Sequence, residues 1–454
     1  MTIQLRNGLL SLLALLVISC GGGGGGGGGA GGGGAGFVGP STLAASGSPG
    51  DSGPGAAAGA TGPGAAANGI GGIASDEGAT ASAAGGGDDA SGVGSGGTGV
   101  STADATGVGA VDGAGSIIVN GLRYDTQTAV GNVEDAPAGL QLGMSARVIG
   151  PVNASFTQGI ARRVESAADI RGPVTSVDAA HGSFVVLGTT VTTDEATVWA
   201  DAAGLAAIPA GATVQVWGLP SAPGALRATR VEQREPSATP ILTGTVQNLD
   251  TARRSFSLGG RSVDYAGAVL SGSPDGQALA NGIIVRVRAT AAATGNLAAT
   301  LVQWWYPLPT VDAATAQFAG VVTEFAGPGS LRVLGYPVDA SAAQVSGGPA
   351  GAIGNGVKVE VGGSIAGGVL RATKLKIRNV PGTGGPASFD LIGTVGAFRS
   401  PSDFRVRGQP VNAGGTEVLF FNGSAAKLGN GVRVNIHGTQ VVDGVLTAAT
   451  VTFE

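Results

Sequence analysis

The sequence predicts an all-β protein: five tandem small OB-like antiparallel β-barrel repeats, preceded by a signal peptide and a disordered Gly-rich tether. Three observations carry that prediction. Past Thr106, apolar and polar residues alternate in runs of four to eight, bounded by Gly, Asn or Pro, as in short half-buried strands. One order of motifs recurs there with a period of roughly 65–76 residues. The chain holds 86 glycines, and residues 21–36 are Gly at 14 of 16 positions.

The amino-terminal segment MTIQLRNGLLSLLALLVIS has one charge, Arg6, and an apolar run from Leu9 to Ile18. That run is too short for a resident membrane span, which needs about 20 residues, and has the layout of a secretory signal over residues 1–19. Val17-Ile18-Ser19-Cys20 places the chain's single cysteine directly after a small residue. This segment resembles the lipobox of bacterial lipoprotein signal peptides. The resemblance implies cleavage before Cys20, diacylation of its thiol and acylation of the new amino terminus. More than one acyl chain is what stable anchoring takes. Gly21 stands where an Asp would signal inner-membrane retention, so the implied localisation is the outer membrane or cell surface. One cysteine cannot form an intramolecular disulfide, so packing alone must hold the folded part.

Residues 20–106 read as the lipidated Cys and its tether: Gly, Ala, Ser and Thr with almost no aromatic residue, a composition that cannot offset ordering entropy by burial. A Gly-rich coil of this length spans about 50 Å r.m.s., at ~5–6 Å × √n. The segment "GDSGPG" at 50–55 approaches the GDSGGP of trypsin-like proteases, but its order is wrong and no strand pattern surrounds it. His181 and His437 lie in separate downstream repeats, so no triad is legible. Ala56 and Ala65 break the third-position glycine that a collagen helix demands.

The repeats are placed at 107–168, 169–238, 239–309, 317–381 and 388–454. Each opens with Val-x-x-apolar (Val108/Val111, Val174/Val177, Val246/Leu249, Val322/Phe325, Val395/Phe398). An alternating pair and a Gly-x-x-apolar motif follow, then "GMSARV", "GATVQV", "GIIVRV", "GVKVEV" or "GVRVNI". The units close with "GIARRV", "ALRATRV", "NLAATLV", "VLRATKL" and "VLTAATV". Asn-Gly at 120–121, 281–282, 355–356 and 430–431 supplies turns tolerant of positive φ. The closing strand slips phase: Leu370 and Ala372 share one face, Leu375 and Ile377 a face out of step with it, which predicts a bulge. Units of this size with 4% aromatic residues have thin cores, so packing between units is expected to matter. The order "GTVQNLD…FSLGGRSVDY…LANGIIVRV…LAAT" and its counterparts resemble the domain-of-unknown-function 5666 family, small β modules recurring in tandem in bacterial exported proteins. The resemblance covers 107–454, is weakest in the first unit, and implies a fold but no activity.

Charge is unevenly placed. Residues 21–112 hold seven acids and no Lys or Arg, whereas from 113 onward 24 basic residues face 23 acidic ones. A near-neutral array offers no nucleic-acid footprint, so no nucleic-acid partner is expected. No metal, cofactor or catalytic constellation is legible, and the expectation is a protein without enzymatic activity. Arg371, Lys374, Lys376 and Arg378 read as the solvated face of a closing strand. Asp125, Asp264, Asp339 and Asn412 each follow the third strand's apolar residue, with Thr192 in unit two; they read as Asx turns rather than ligands. The outward residue of the fourth long motif changes from Arg147 to Gln215, Arg286, Glu360 and Asn435, which argues against a site shared by all units.

The aromatic surplus "QWWYPLP" at 303–309 gives the candidate contact residues. Register against the other closing strands puts Trp304 inward and Trp305 outward, beside Tyr306, where the pair could stack on a sugar or a partner, or pack unit three against unit four. The functional expectation is a membrane-anchored, non-enzymatic lipoprotein whose repeats recognise an envelope glycan or protein. The alternative is a passive structural spacer array with no small-molecule ligand; oligomeric state is not legible.

Overall fold

The computed structural model describes residues 100–236, 238–290, 296–379 and 388–454. Cys20, the signal segment and the Gly-rich stretch to residue 99 lie outside the described residues. What is described is β-structure with short 3-10 turns and no α-helix.

The last repeat shows the construction. Its opening strand, Phe389–Ser400, pairs antiparallel with Asp403–Val406 on one side and Arg433–Val442 on the other. Asp403–Val406 pairs antiparallel with Gln409–Asn412, which runs parallel to the start of the closing strand Val445–Phe453. The closing strand then pairs antiparallel with Arg433–Val442, and the circuit is complete. A short fourth strand, Leu419–Phe421, lies parallel along the outer half of the closing strand. The preceding three repeats carry the same circuit. So does the first, with its closing strand split into Gln158–Ile160 and Arg163–Ser166. The expectation of purely antiparallel strands is therefore corrected. Parallel neighbours need a long crossover, and the loose segment between the third and fifth strands supplies it, with a 3-10 turn in repeats 2 to 5.

The phase slip is a bulge. Pairing jumps past Thr229, Thr300, Thr373 and Ala449 in the four later closing strands. The three threonine hydroxyls donate across to the facing strand: Thr229 to Trp217 O (3.1 Å), Thr300 to Arg288 O (3.1 Å) and Thr373 to Gly362 O (3.2 Å). Ala449 has no hydroxyl to give, and there the register shifts twice, on both sides of the facing Gly438. The first repeat has Ala161-Arg162 at this place, and its strand breaks instead. The Asn-Gly sites also divide. Asn120 and Gly121 both take positive φ, whereas Asn281, Asn355 and Asn430 accept from the Leu249, Phe325 and Phe398 amides and brace the opening strand.

The boundary at 107 is also corrected, because the first strand begins at Val100. Ala105–Val108 pair with Gly150–Arg147 on one side and, parallel, with Thr315–Phe318 of the fourth repeat on the other. Backbone partners on both edges order a stretch too poor in apolar side chains to order itself. Gly113–Ala114 then bridge to Asp390–Leu391 of the fifth repeat, and Ile170–Arg171 to Ile241–Leu242 of the third. Repeats 1, 4 and 5 thus share one 19-stranded hydrogen-bonded set, and repeats 2 and 3 a 12-stranded one. Cores are shared as well. Trp217 and Ile241 complete the core of repeat 1, Leu142 and Val198 enter that of repeat 5, and Val108, Leu219, Trp305 and Tyr306 join that of repeat 4.

Candidate functional site

Trp305 and Tyr306 do not face outward. Their exposures are 4% and 5%, and both sit in the core of repeat 4. The closing strand of repeat 3 ends at Trp304, so the alternation that would turn Trp305 to solvent stops one residue before it. Tyr306, with φ +33°, turns the chain into the junction. There the fully buried Asp169 collects donors from three repeats. Its Oδ1 accepts from Trp305 Nε1 (2.6 Å), Arg286 Nη2 (2.8 Å) and Thr243 Oγ1 (3.4 Å), and its Oδ2 from Ser145 Oγ (2.6 Å) and Gly218 N (2.8 Å). Arg286 lies 5.0 Å from the Tyr306 ring centroid. The Tyr306 hydroxyl donates to Ser145 O (3.2 Å) and accepts from Ala167 N (3.1 Å). Burial alone would lower the Arg286 pKa, but Tyr306 and Asp169 reverse that and hold it above its usual value. Removing one partner from such a buried pair would leave an uncompensated charge in the junction. A groove of about 220 Å³ passes the junction of repeats 3 and 4, with Trp304, Trp305, Tyr306, Ile284, Leu334 and Tyr336 among its walls.

The variable outward residues are explained by their neighbours. Arg147 pairs with Glu165 (2.5 Å) and donates to Pro307 O of repeat 3, while Gln215 bonds Arg171 and the Asp135 carbonyl of repeat 1. Arg286 takes Asp169, and Glu360 pairs with Arg378, which reaches Asp112 of repeat 1 at 3.0 Å. Each of these four positions meets a different partner, so no single side chain serves them all. The cluster Arg371, Lys374, Lys376 and Arg378 is corrected for the same reason. Lys374 donates to Phe156 O of repeat 1 (2.8 Å), Arg378 is paired to Asp112 and Glu360, and Arg371 is paired to Asp339. Lys374 and Arg378 thus face an interface with repeat 1, while Arg371, 55% exposed and paired within its own repeat, stays on a solvated face. Burial pushes the Asp112 carboxyl up, with Arg378 opposing. Burial would raise the Asp135 carboxyl too, but Arg288 (2.7 Å) and Arg171 (2.5 Å) outweigh it and hold the pKa below its usual value.

The recurrent third-strand acids are Asx turns. Asp125, Asp264, Asp339 and Asn412 each accept from the amide two residues on, at 2.9–3.0 Å. His181 and His437 each face one carboxylate, Asp178 at 2.7 Å and Asp390 at 3.1 Å. Among the described residues no group of three or more His, Cys, Asp or Glu side chains could hold a metal ion.

A second concave site was not legible in sequence. Where repeat 5 meets repeats 1 and 2, a cleft of about 380 Å³ is lined by Gln141, Arg230, Arg405, Arg407, Gln409 and Asp443, among others. Arg230 is paired with Glu232 (2.6 Å). Arg405 donates to Gly408 O (2.7 Å), a neutral oxygen that orients the guanidinium without cancelling its charge. Arg407 donates to Ile392 O (2.6 Å). Arg405 is an outward residue of the strand Asp403–Val406 and Arg407, with φ +49°, follows in the turn, so no sequence pattern marks the two as one site.

Four segments of the chain, 171–232, 243–303, 319–376 and 392–452, match the domain of unknown function DUF5666. Together they exceed half of its length. The chain belongs to the DUF5666 family. The matched segments fall on repeats 2 to 5, so the tandem DUF5666 array is shown for those four. The first repeat shares their strand circuit but lies outside the match, and it is the one whose closing strand breaks where the others bulge. No curated protein matches the sequence.

Proposed function

We propose that this DUF5666 protein is a non-enzymatic recognition head, held at the outer membrane or cell surface by lipid on Cys20. Each strand circuit is read as an OB-like barrel, five in all: five strands in a closed ring with a short outer sixth suit that size and closure. The observation that carries the reading is the return of the first strand onto the openings of repeats 4 and 5. A spacer gains reach by stacking units end to end, and this chain forgoes reach to build shared clefts. Because Trp305 and Tyr306 are consumed in a junction, the recognition surface is assigned instead to the arginine-lined cleft of repeats 1, 2 and 5. The Arg405 guanidinium, oriented by a carbonyl at the mouth of that cleft, suits an acidic glycan, whose carboxylates can accept paired N–H donors.

The test is calorimetric titration of the full chain in detergent with an oligouronate, against a neutral oligosaccharide of equal length. Binding of the acidic sugar alone is expected, weakened about tenfold or more by Arg405→Gln, the worth of one charge-assisted hydrogen bond. No heat with either sugar would leave the passive spacer as the better reading, which the burial of Trp305 between repeats favours. The anchor is tested separately, by incorporation of a labelled fatty acid that Cys20→Ser abolishes.

A further inference from the structure

The hairpin joining the last two strands of a repeat is a docking element within the molecule. In repeat 1 its tip residue Phe156 lies against Gly362 of repeat 4 and accepts Lys374. In repeat 2, Gly224 touches Gly259 of repeat 3, near enough that a Cβ on Gly259 would be 3.0 Å from the Gly224 Cα. In repeat 5, Asp443 N and Gly444 N donate to Ala202 O (3.1 Å) and Trp199 O (2.9 Å) of repeat 2. Of the four described hairpins only that of repeat 4, Ala366 to Val369, seats on no other repeat; its Gly367 amide donates to Asp312 Oδ1 in the segment before that repeat (2.8 Å). Gly367 and Gly368 take the positive φ of a tight turn, with open space where a side chain would go.

The seat is just as unevenly occupied. Repeat 5's hairpin docks beside the short fourth strand of repeat 2, Val198–Trp199, where Val198 is fully buried. Aligned on their pairing with the closing strand, the equivalents of Val198 are Val130, Val269, Gln344 and Leu419. Val130, Val269 and Leu419 are 66%, 64% and 57% exposed, and Phe421, at the place of Ala200, is 50% exposed. Repeat 5 therefore presents the largest uncovered copy of a seat that is filled in repeat 2. We propose that a second copy of this chain fills it, inserting its repeat-4 hairpin along Leu419–Phe421. Gly368 holds the place of Gly444 and Phe420 that of Trp199, so the Gly368 amide would meet the Phe420 carbonyl. Donor and seat are different surfaces, so the contact is heterologous and builds pairs or longer chains. The inference does not depend on the acidic-glycan reading.

The test uses the full chain in detergent in a Cys20→Ser background, so that no lipid or native thiol joins copies. Light scattering is expected to give the mass of two or more copies. Leu419→Ser with Phe421→Ser should return it to one copy with an unchanged circular dichroism spectrum, and so should Gly368→Val on the donor. Mixing Ala366→Cys chains with Phe421→Cys chains should give a disulfide-linked pair that neither forms alone. A single-copy mass at all concentrations, or association that survives both the seat and the donor variants, would overturn the proposal.

Discussion

The fourth strand of repeat 2 and that of repeat 5 are the same element in opposite surroundings. Val198 is fully buried beneath repeats 1 and 5, whereas Leu419 stands 57% exposed. Both are apolar, and both pair in parallel with a closing strand. What separates them is that repeat 5's hairpin and Gly143 of repeat 1 both close on Val198, while Leu419 has no such cover. An apolar residue at an outward strand position is thus a docking site already used in one copy and open in the other, not an irregularity of the pattern.

The largest perturbation should come from a junction that uses no fourth strand. Asp169→Ala leaves Arg286 buried without its counter-charge and is expected to cost about 3–5 kcal/mol in denaturant unfolding. A cost near zero would mean that the repeats are held by their edges alone. Next is the filled seat. Gly444 has φ +71°, and a Cβ there would stand 2.8 Å from Ala200 O. Gly444→Val should therefore cost about 1–3 kcal/mol and raise amide exchange at Asp443 and its Ala202 neighbour. Loss of protection across all five repeats together would instead show that the seat is part of one cooperative unit.

Acid separates the charged junction from the apolar one. Asp135 ionises below its usual range when folded, so its contribution is full above the unfolded value of about 4 and is lost as pH falls through the folded one. Asp135→Asn should flatten the acid limb of the stability curve and lower stability at pH 7, while Gly444→Val leaves the shape of that limb unchanged. The smallest effect belongs to the open seat. Leu419→Ser should change the unfolding free energy of a single copy by no more than about 0.5 kcal/mol, and a larger cost would show that Leu419 is packed within its own copy.

The sequence by itself determined the strands, their order and their recurrence. Alternation about Val108, Val174, Val246, Val322 and Val395 is local, and the bulge threonines of repeats 2 to 4 and the Asx residues act on backbone a few positions away or on the adjacent strand. A fixed local geometry recurs wherever the local sequence recurs, so it reads off one chain. The tertiary structure alone decided what lies outside each repeat. Trp305 follows a strand whose alternation ends at Trp304, Arg378 meets an Asp112 that is 266 positions away, and the cleft arginines converge only because repeat 5 returns to repeats 1 and 2. Those contacts follow from which repeat packs on which, and no period in the sequence encodes that choice.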